Sequence, residues 1–496
     1  MKKLKANLIV SVLYQCTVFL CGFILPKMII DHFGSEVNGL THSIKQFLGV
    51  ISFLDMGVSQ VVRSSLYGPI ADHDNLNISR IMVSGRKFYK KIAYALLGYV
   101  AILFIIYPVL VNNSFETAYI VALIAVMSIS SFVQYYFGVM NEQLLHADQK
   151  SYLIYSVQII CTVMNLLVCI IMIRLNCSIQ IVMLTTAVIF LIKPTFYALY
   201  IRNHYMLDRN VRYREEPIKQ KWSGIAQHIS AVVLDGTDNI VLTLFSTLSN
   251  VSIYSVYYMI VGSIQNFYQT AVVGVQSGAG AIWAKDDFKS IRKMFLKIEY
   301  LLHTVTIFLF VCTGILIVPF VQVYTKGLMD ADYIQPIFAI IIVVAYGVRC
   351  LRTPYNIWIL AAGHFKQTKH CHIIAAVLNL IISITVVSKC GLIGVAVGTL
   401  IAMIYQTTWM AIYTTRKLVK VSIMHLVKRC LADACMVIVT ILATAWIRLE
   451  DVSYLGWFLM AVKVASIAAV SVIGLSVVFY YKDSIKLFRG IIRKEN

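Results

Sequence analysis

The chain has 496 residues, 59% of them hydrophobic and only 13% charged, and carries a formal net charge of +20. A mean hydropathy of +0.78 excludes a soluble globular protein, whose surface must be polar enough to meet water. Apolar runs of about 20 residues match helices crossing ~30 Å of hydrocarbon, and no segment alternates in the ~10-residue pattern of a transmembrane barrel strand.

About fourteen spanning helices are predicted, at 7–30, 37–67, 90–111, 117–141, 151–173, 179–200, 222–247, 251–283, 298–320, 333–361, 371–388, 391–414, 429–447 and 455–481. The first follows Met1-Lys2-Lys3-Leu4-Lys5, and its apolar run continues past Phe23 with no small-residue cleavage site. No cleavable signal peptide is expected.

Span 2 is the most informative. Thr41, Lys45, Ser52, Asp55, Ser59 and Arg63 fall within about an 80° arc if the span is one helix turning 100° per residue. The stripe would be about 33 Å long, the depth of the membrane. A charged side chain facing lipid costs at least about 2.5–3.5 kcal/mol, so this face is expected to line a hydrated cavity. The alternative is a structural ion pair of Asp55 with Arg63 or Lys45. In span 6, Lys193 precedes Pro194. In span 7, Asp235, with Asn379 of span 11 and Thr399 of span 12, is a candidate oxygen-rich cation site. Span 8 places Tyr254, Tyr258, Gln265 and Gln269 on one face, donors and acceptors suited to sugar hydroxyls or to bonds between helices. Span 10 presents Tyr346, Arg349, Thr353 and Asn356 on one arc, with Arg352 at its edge. The intramembrane balance is therefore cationic, which points to an anionic headgroup as ligand. Pro26, Pro194, Pro354, Gly274, Gly278 and Gly280 are candidate bending points.

Cations alternate between successive connections. Arg86, Lys87, Lys90 and Lys91, then Arg202 to Lys221, Lys285 to Lys297, and Arg416 to Arg429 fall on the side that also holds both termini. Both termini are thus expected in the cytoplasm. The positive charge is a topology signal and argues against nucleic-acid binding. The 11 cysteines lie mostly within apolar runs, and no pair has metal-ligand spacing.

The chain repeats itself. Ser84-Gly85-Arg86-Lys87 returns as Ser290-Ile291-Arg292-Lys293, and Val163-Met164-Asn165-Leu166 as Val377-Leu378-Asn379-Leu380. A six-helix period keeps orientation, so two lobes related by a pseudo-two-fold axis along the membrane normal are expected. The expected organisation is an N-lobe over 1–200, a cytoplasmic linker over 201–221, a C-lobe over 222–414, and two further helices with a basic tail over 415–496.

Phe33-Gly34-Ser35-Glu36-Val37-Asn38-Gly39-Leu40, followed by Phe53-Leu54-Asp55-Met56-Gly57 and Arg63, resembles the first two helices of bacterial polysaccharide flippases. These belong to the multidrug/oligosaccharidyl-lipid/polysaccharide exporter superfamily. Thr237-Asp238-Asn239-Ile240-Val241 and Ile253-Tyr254-Ser255-Val256-Tyr257-Tyr258 resemble its seventh and eighth helices. The resemblance spans essentially the whole chain. It implies translocation of undecaprenyl-pyrophosphate-linked repeat units across the bacterial cytoplasmic membrane, for capsule, O-antigen or similar polymers. It also implies a cationic cavity formed by Lys45, Arg63, Arg349 and Arg352, a lipid-tail groove at spans 13 and 14, and a pathway shared with glycosyltransferases and a polysaccharide polymerase. No cofactor is expected, and no P-loop pattern is present, so coupling to Na+, H+ or membrane potential is expected instead. Rival readings are a lipid II flippase, a multidrug or organic-cation exporter, and a membrane-embedded glycosyltransferase or polymerase, the last disfavoured by short outward loops.

Overall fold

In a computed structural model the described residues are 2–55, 58–111, 115–208, 211–213, 215–218, 236–283 and 288–479. Among them the chain is helical throughout, without strands. It divides into two compact units, Met1–Ser252 and Ile253–Asn496.

Unit 1 contains α1 (Lys2–Phe33), α2 (Ser35–Gly49), a 3-10 segment (Val50–Asp55), α3 (Val58–Ala71), α4 (Asn75–Leu110), α5 (Thr117–Val133), a π segment (Gln134–Gly138), α6 (Val139–Ala147), α7 (Ser151–Arg174), α8 (Ile179–Phe190) and α9 (Ile192–His204). A further helix, α10, covers 236–245. Helix α11 (Leu248–Trp283) begins in this unit and continues into unit 2. There it is followed by α12 (Phe288–Tyr324), α13 (Pro336–Leu351), α14 (Thr353–Ala361), α15 (Phe365–Tyr413), a π segment (Thr414–Leu418), α16 (Ile423–Thr444) and α17 (Tyr454–Phe479). Helix α15 folds back at Gly391, whose φ of 51° and ψ of −125° interrupt it, so it supplies spans 11 and 12. Nine of these stretches among the described residues are long and apolar enough to cross a membrane. With the others they agree with about fourteen spans in a multi-pass membrane protein.

The core of unit 1 gathers Leu40 and Ile44 of α2, Val58, Val62 and Leu66 of α3, Leu96 of α4, Leu123 of α5 and Ile154 of α7. Ile102, Ile105 and Val109 of α4, and Val462, Val470 and Ile473 of α17, are exposed, an arrangement that lipid accepts and water does not. Glycine sets one close approach here. A Cβ on Gly39 would lie 1.9 Å from the Leu248 carbonyl oxygen, so α2 meets the start of α11 backbone to backbone. Asn38 Nδ2 donates to Ser252 Oγ (2.7 Å), and the Ser43 and Thr243 hydroxyls lie 2.7 Å apart. The α1–α2 corner needs Gly34, whose φ is 84°, a left-handed conformation that costs glycine little.

The α6–α7 connection is tied to the end of α9. Lys150 pairs with Asp148 (2.8 Å) and donates to the Tyr205 hydroxyl (3.1 Å), while Tyr205 donates to Asp148 (2.5 Å). Burial opposes the Lys150 charge, but its hydrogen bonds to Asp148 and Tyr205 outweigh that and hold the ammonium above its ordinary range.

In unit 2, α16 and α17 pack against each other and against α12. Ile307, Val311, Met436 and Val472 form one small core there, and Ile447, Met460 and Val464 another.

Candidate functional site

Unit 1 breaks three of its spans, and polar side chains gather near the breaks. Within a membrane, an interrupted helix is tolerated where protein or water satisfies the freed backbone groups. The first break is in span 2. The single stripe expected there is not kept, because the 3-10 segment Val50–Asp55 winds with three residues per turn rather than 3.6. Lys45, before the break, is exposed on α2, and Ser52 is half-buried within the segment. Asp55, at its end, accepts from the Tyr89 hydroxyl of α4 (2.6 Å) and from Ser59 Oγ (3.0 Å). Arg63 Nε donates to Gln143 Oε1 of α6 (3.0 Å). The polar residues after the break are thus tied to α4 and α6, and Asp55 pairs with hydroxyls rather than with Lys45 or Arg63.

The second break is the π segment Gln134–Gly138 in span 4, a type of irregularity frequent at functional sites. Asn141 Nδ2 donates to the Phe137 carbonyl (3.0 Å), and the Asn141 Oδ1 accepts from Arg86 (3.2 Å). Gln134 Nε2 donates to Glu142 Oε2 (2.9 Å), and His146 lies 3.8 Å from the same carboxylate. The third break, at Leu191 in span 6, precedes Lys193 and Pro194. The Lys193 ammonium sits 4.3 Å from the centre of the Phe190 ring.

Unit 2 brings the residues of spans 8 and 10 together. Tyr254 stacks on Tyr258 with centroids 5.9 Å apart, and Tyr258 meets Tyr346 of α13 edge to face at 5.8 Å. The Arg349 guanidinium lies 5.9 Å from the centre of the Tyr346 ring, within cation–π range. Further along α11, Gln269 Nε2 donates to Thr353 Oγ1 of α14 (3.5 Å) and the Tyr268 hydroxyl to the Cys350 carbonyl of α13 (3.3 Å). Arg352 marks the break between α13 and α14, ahead of Pro354. Gln265, Arg349, Arg352 and Asn356 are all half-buried, whereas Tyr254 is buried. The result is a cluster of buried and half-buried phenol rings with the Arg349 guanidinium at its edge.

Two members of the candidate cation site meet. Asn379 Nδ2 donates to Thr399 Oγ1 (2.9 Å), both side chains being buried. Asp235 lies outside the described residues. The Asn379–Thr399 pair also makes the internal repeat visible in atoms. In unit 1, Cys169 Sγ lies 3.5 Å from Asn165 Oδ1 and 3.3 Å from Thr186 Oγ1. Asn165, Cys169 and Thr186 correspond to Asn379, Ser383 and Thr399 at offsets of 214, 214 and 213 residues. The π segment beginning at Gln134 likewise corresponds to the break at Arg352, inside the stretch beginning at Arg349.

Several polar residues of the structure escaped the sequence reading. Glu142 and His146, and Glu299 and His303, are spaced four apart; His425, Arg429 and Asp433 continue that spacing over two turns. Each set therefore shares a helix face, a signal present in the sequence and obscured by the apolar residues between. A cleft of about 380 Å³ also opens among Ile315 and Pro319 of α12, Ile441 and Thr444 of α16, Met460 of α17, and Arg448.

No protein-family model matches the chain, and no curated protein sequence matches it. Solved structures do. The lipid II flippase MurJ in an inward closed conformation superposes with a TM-score of 0.71 at 14% identity, over 95% of this chain and 99% of that one. The fold is that of MurJ and of the MATE transporters. An inward-facing multidrug resistance MATE transporter of the MOP superfamily gives 0.61 at 12% identity, over 82% of this chain and 98% of its own. The eukaryotic MATE transporter AtDTX14 gives 0.58 at 12%, over 88% and 98%. The MurJ/MATE fold thus accommodates nearly the full length of the chain.

Proposed function

We propose that the chain is a flippase. It moves undecaprenyl-pyrophosphate-linked oligosaccharide repeat units from the cytoplasmic to the outer leaflet of a bacterial cytoplasmic membrane by alternating access, with both termini in the cytoplasm. The units supply cell-surface polysaccharide synthesis, beside glycosyltransferases and a polymerase, and the protein carries out no covalent step. The observation that carries this reading is the cluster of Arg349, Tyr346, Tyr258 and Tyr254 in unit 2. A guanidinium fork suits a pyrophosphate, and the phenols and amides beside it suit sugar hydroxyls. The cleft at α12, α16 and α17 suits part of an isoprenoid tail. A second reading, lipid II translocation, is supported by the fold shared with MurJ and asks for the same headgroup chemistry. A multidrug-cation exporter wants acidic groups directed at its substrate. Asp55 and Glu142 of unit 1 are instead engaged by Tyr89, Ser59 and Gln134.

Native mass spectrometry of the purified protein with undecaprenyl pyrophosphate tests the headgroup assignment. Loss of a charged hydrogen bond costs about 1.5–3 kcal/mol, so Arg349→Gln should weaken binding about 10- to 150-fold. Unchanged binding in that variant, or displacement of the lipid by an organic cation, would count against the reading.

A further inference from the structure

Elsewhere, unit 2 joins six ionisable side chains in one connected group, five of them buried and His425 half-buried. Helix α12 supplies Glu299 and His303, α14 supplies Tyr355, and α16 supplies His425, Arg429 and Asp433. The contacts run in series. His425 Nε2 lies 2.7 Å from Glu299 Oε2, and the Tyr355 hydroxyl lies 2.8 Å from Glu299 Oε1 and 3.4 Å from His303 Nε2. His303 Nδ1 lies 2.6 Å from Asp433 Oδ2, and Arg429 Nε lies 3.5 Å from Asp433 Oδ1. Exposure falls off sharply after the first member, and the His303 side chain is 4% exposed. The His425 side chain is 28% exposed, while those of Glu299 and Asp433 are 2% and 8% exposed.

The surrounding elements close the group. Arg429 donates to the Tyr300 carbonyl (3.0 Å) and lies over the Tyr300 ring, whose hydroxyl is 3.2 Å from Ser476 of α17. The π segment contributes Thr414, bonded to the Tyr355 carbonyl (3.2 Å). Helix α13 turns Val343 and Gly347 toward α12. Exposed Cys430 of α16 stands beside Glu299, Arg429 and Asp433, and the exposed Arg416 and Lys417 belong to the π segment that precedes α16.

Charge counting gives this arrangement a function. Two carboxylates against one guanidinium leave one negative charge when both imidazoles are neutral. An uncompensated buried charge is costly, so the group is neutral when it holds one further proton. We propose that Glu299, Tyr355, His303 and Asp433 form a proton-binding site whose inlet is His425. This inference is independent of the substrate named above. A proton arriving at His425 Nδ1 releases the Nε2 proton to the Glu299 carboxylate. The Glu299 carboxyl proton then passes to the Tyr355 oxygen as the phenol proton moves to His303 Nε2. The Nδ1 proton of His303 goes to Asp433. Each intermediate group gains one proton and loses one, and Asp433 keeps it. Chains of acids and histidines within membrane helices commonly serve as proton relays, and imidazole is suited to such shuttling. Among the described residues no three His, Cys, Asp or Glu side chains converge as metal ligands.

Infrared difference spectroscopy on the full chain in liposomes, after a rapid pH drop, reads this directly. The proton is the only probe. The wild-type protein should develop a protonated-carboxyl band with a fast component from exposed carboxylates and a slow one from the buried site. Asp433→Asn should lose that band's slow component. Tyr355→Phe and His425→Gln should keep its amplitude while slowing its appearance about tenfold or more. The last two change no buried charge and are read even if Asp433→Asn does not fold. Protonation at the wild-type rate in both would overturn the inlet. Absence of a slow component in the wild type, or a full slow component in a folded Asp433→Asn variant, would overturn the site.

Discussion

Arg349 projects from the last turn of α13, just before the break at Arg352, where one phenol ring flanks its charge. Side-chain substitutions there separate charge from geometry. Arg349→Lys keeps the cation and loses the fork, so polymer export in a strain lacking the native gene should fall but persist. Arg349→Gln installs the residue that the repeat places at Gln134, and export should drop to a small fraction while membrane levels hold. Disappearance of the variant from the membrane would make Arg349 a structural residue. In unit 1, Tyr89→Phe removes the 2.6 Å bond to Asp55. Polar contacts between membrane helices are modest, so thermal unfolding in detergent should show a loss of about 1 kcal/mol. A loss of zero would mean that Ser59 and water replace the phenol. The residue chemistry of spans 8 and 10 was legible because amides, phenols and guanidiniums interrupt apolar runs at helical spacing. Tyr89 was not, since a tyrosine in an apolar helix carries no sign of its partner.

At the scale of elements, close helix contacts rest on a few glycines. A Cβ on Gly398 would lie 2.3 Å from Ser383 Oγ and 3.0 Å from the Asn379 carbonyl oxygen, whereas one on Gly278 would meet nothing within 4 Å among the described residues. Gly398→Ala should therefore cost about 1–3 kcal/mol through overpacking at the Asn379–Thr399 seam. Gly278→Ala, in the interior of α11, should be neutral or gain about 0.5–1 kcal/mol. Equal melting temperatures for the two variants would contradict this packing. Spans 1, 3, 5, 9 and 14 were legible from length and apolarity alone. The interruptions were not: neither Val50–Asp55 nor Gln134–Gly138 contains proline, and tertiary contacts select their geometry. Pro194 and Pro354 stand just after their breaks, while Pro26 lies inside an uninterrupted α1. Proline thus marks a bend only where the surrounding helices supply partners for the freed carbonyls.

For the molecule as a whole, alternation of basic connections predicts that reporters fused after Asn113, Asn176 and Asp451 lie outside and one in the Arg202–Lys221 loop lies inside. Cytoplasmic signals at two of the three outward positions would refute the topology. The fold could be read because hydropathy fixes spans. The proposed substrate rests on chemistry alone, since arginine, tyrosine and amide side chains fit many sugars alike. Translocation itself is measured most directly in proteoliposomes loaded symmetrically with an undecaprenyl-pyrophosphate oligosaccharide and challenged with a membrane-impermeant sugar-modifying enzyme. Vesicles containing the protein should lose the whole lipid-linked pool, and those with Arg349→Gln should be far slower. If the wild-type vesicles, like protein-free ones, lose only their outer-leaflet share, the chain does not flip this class of lipid.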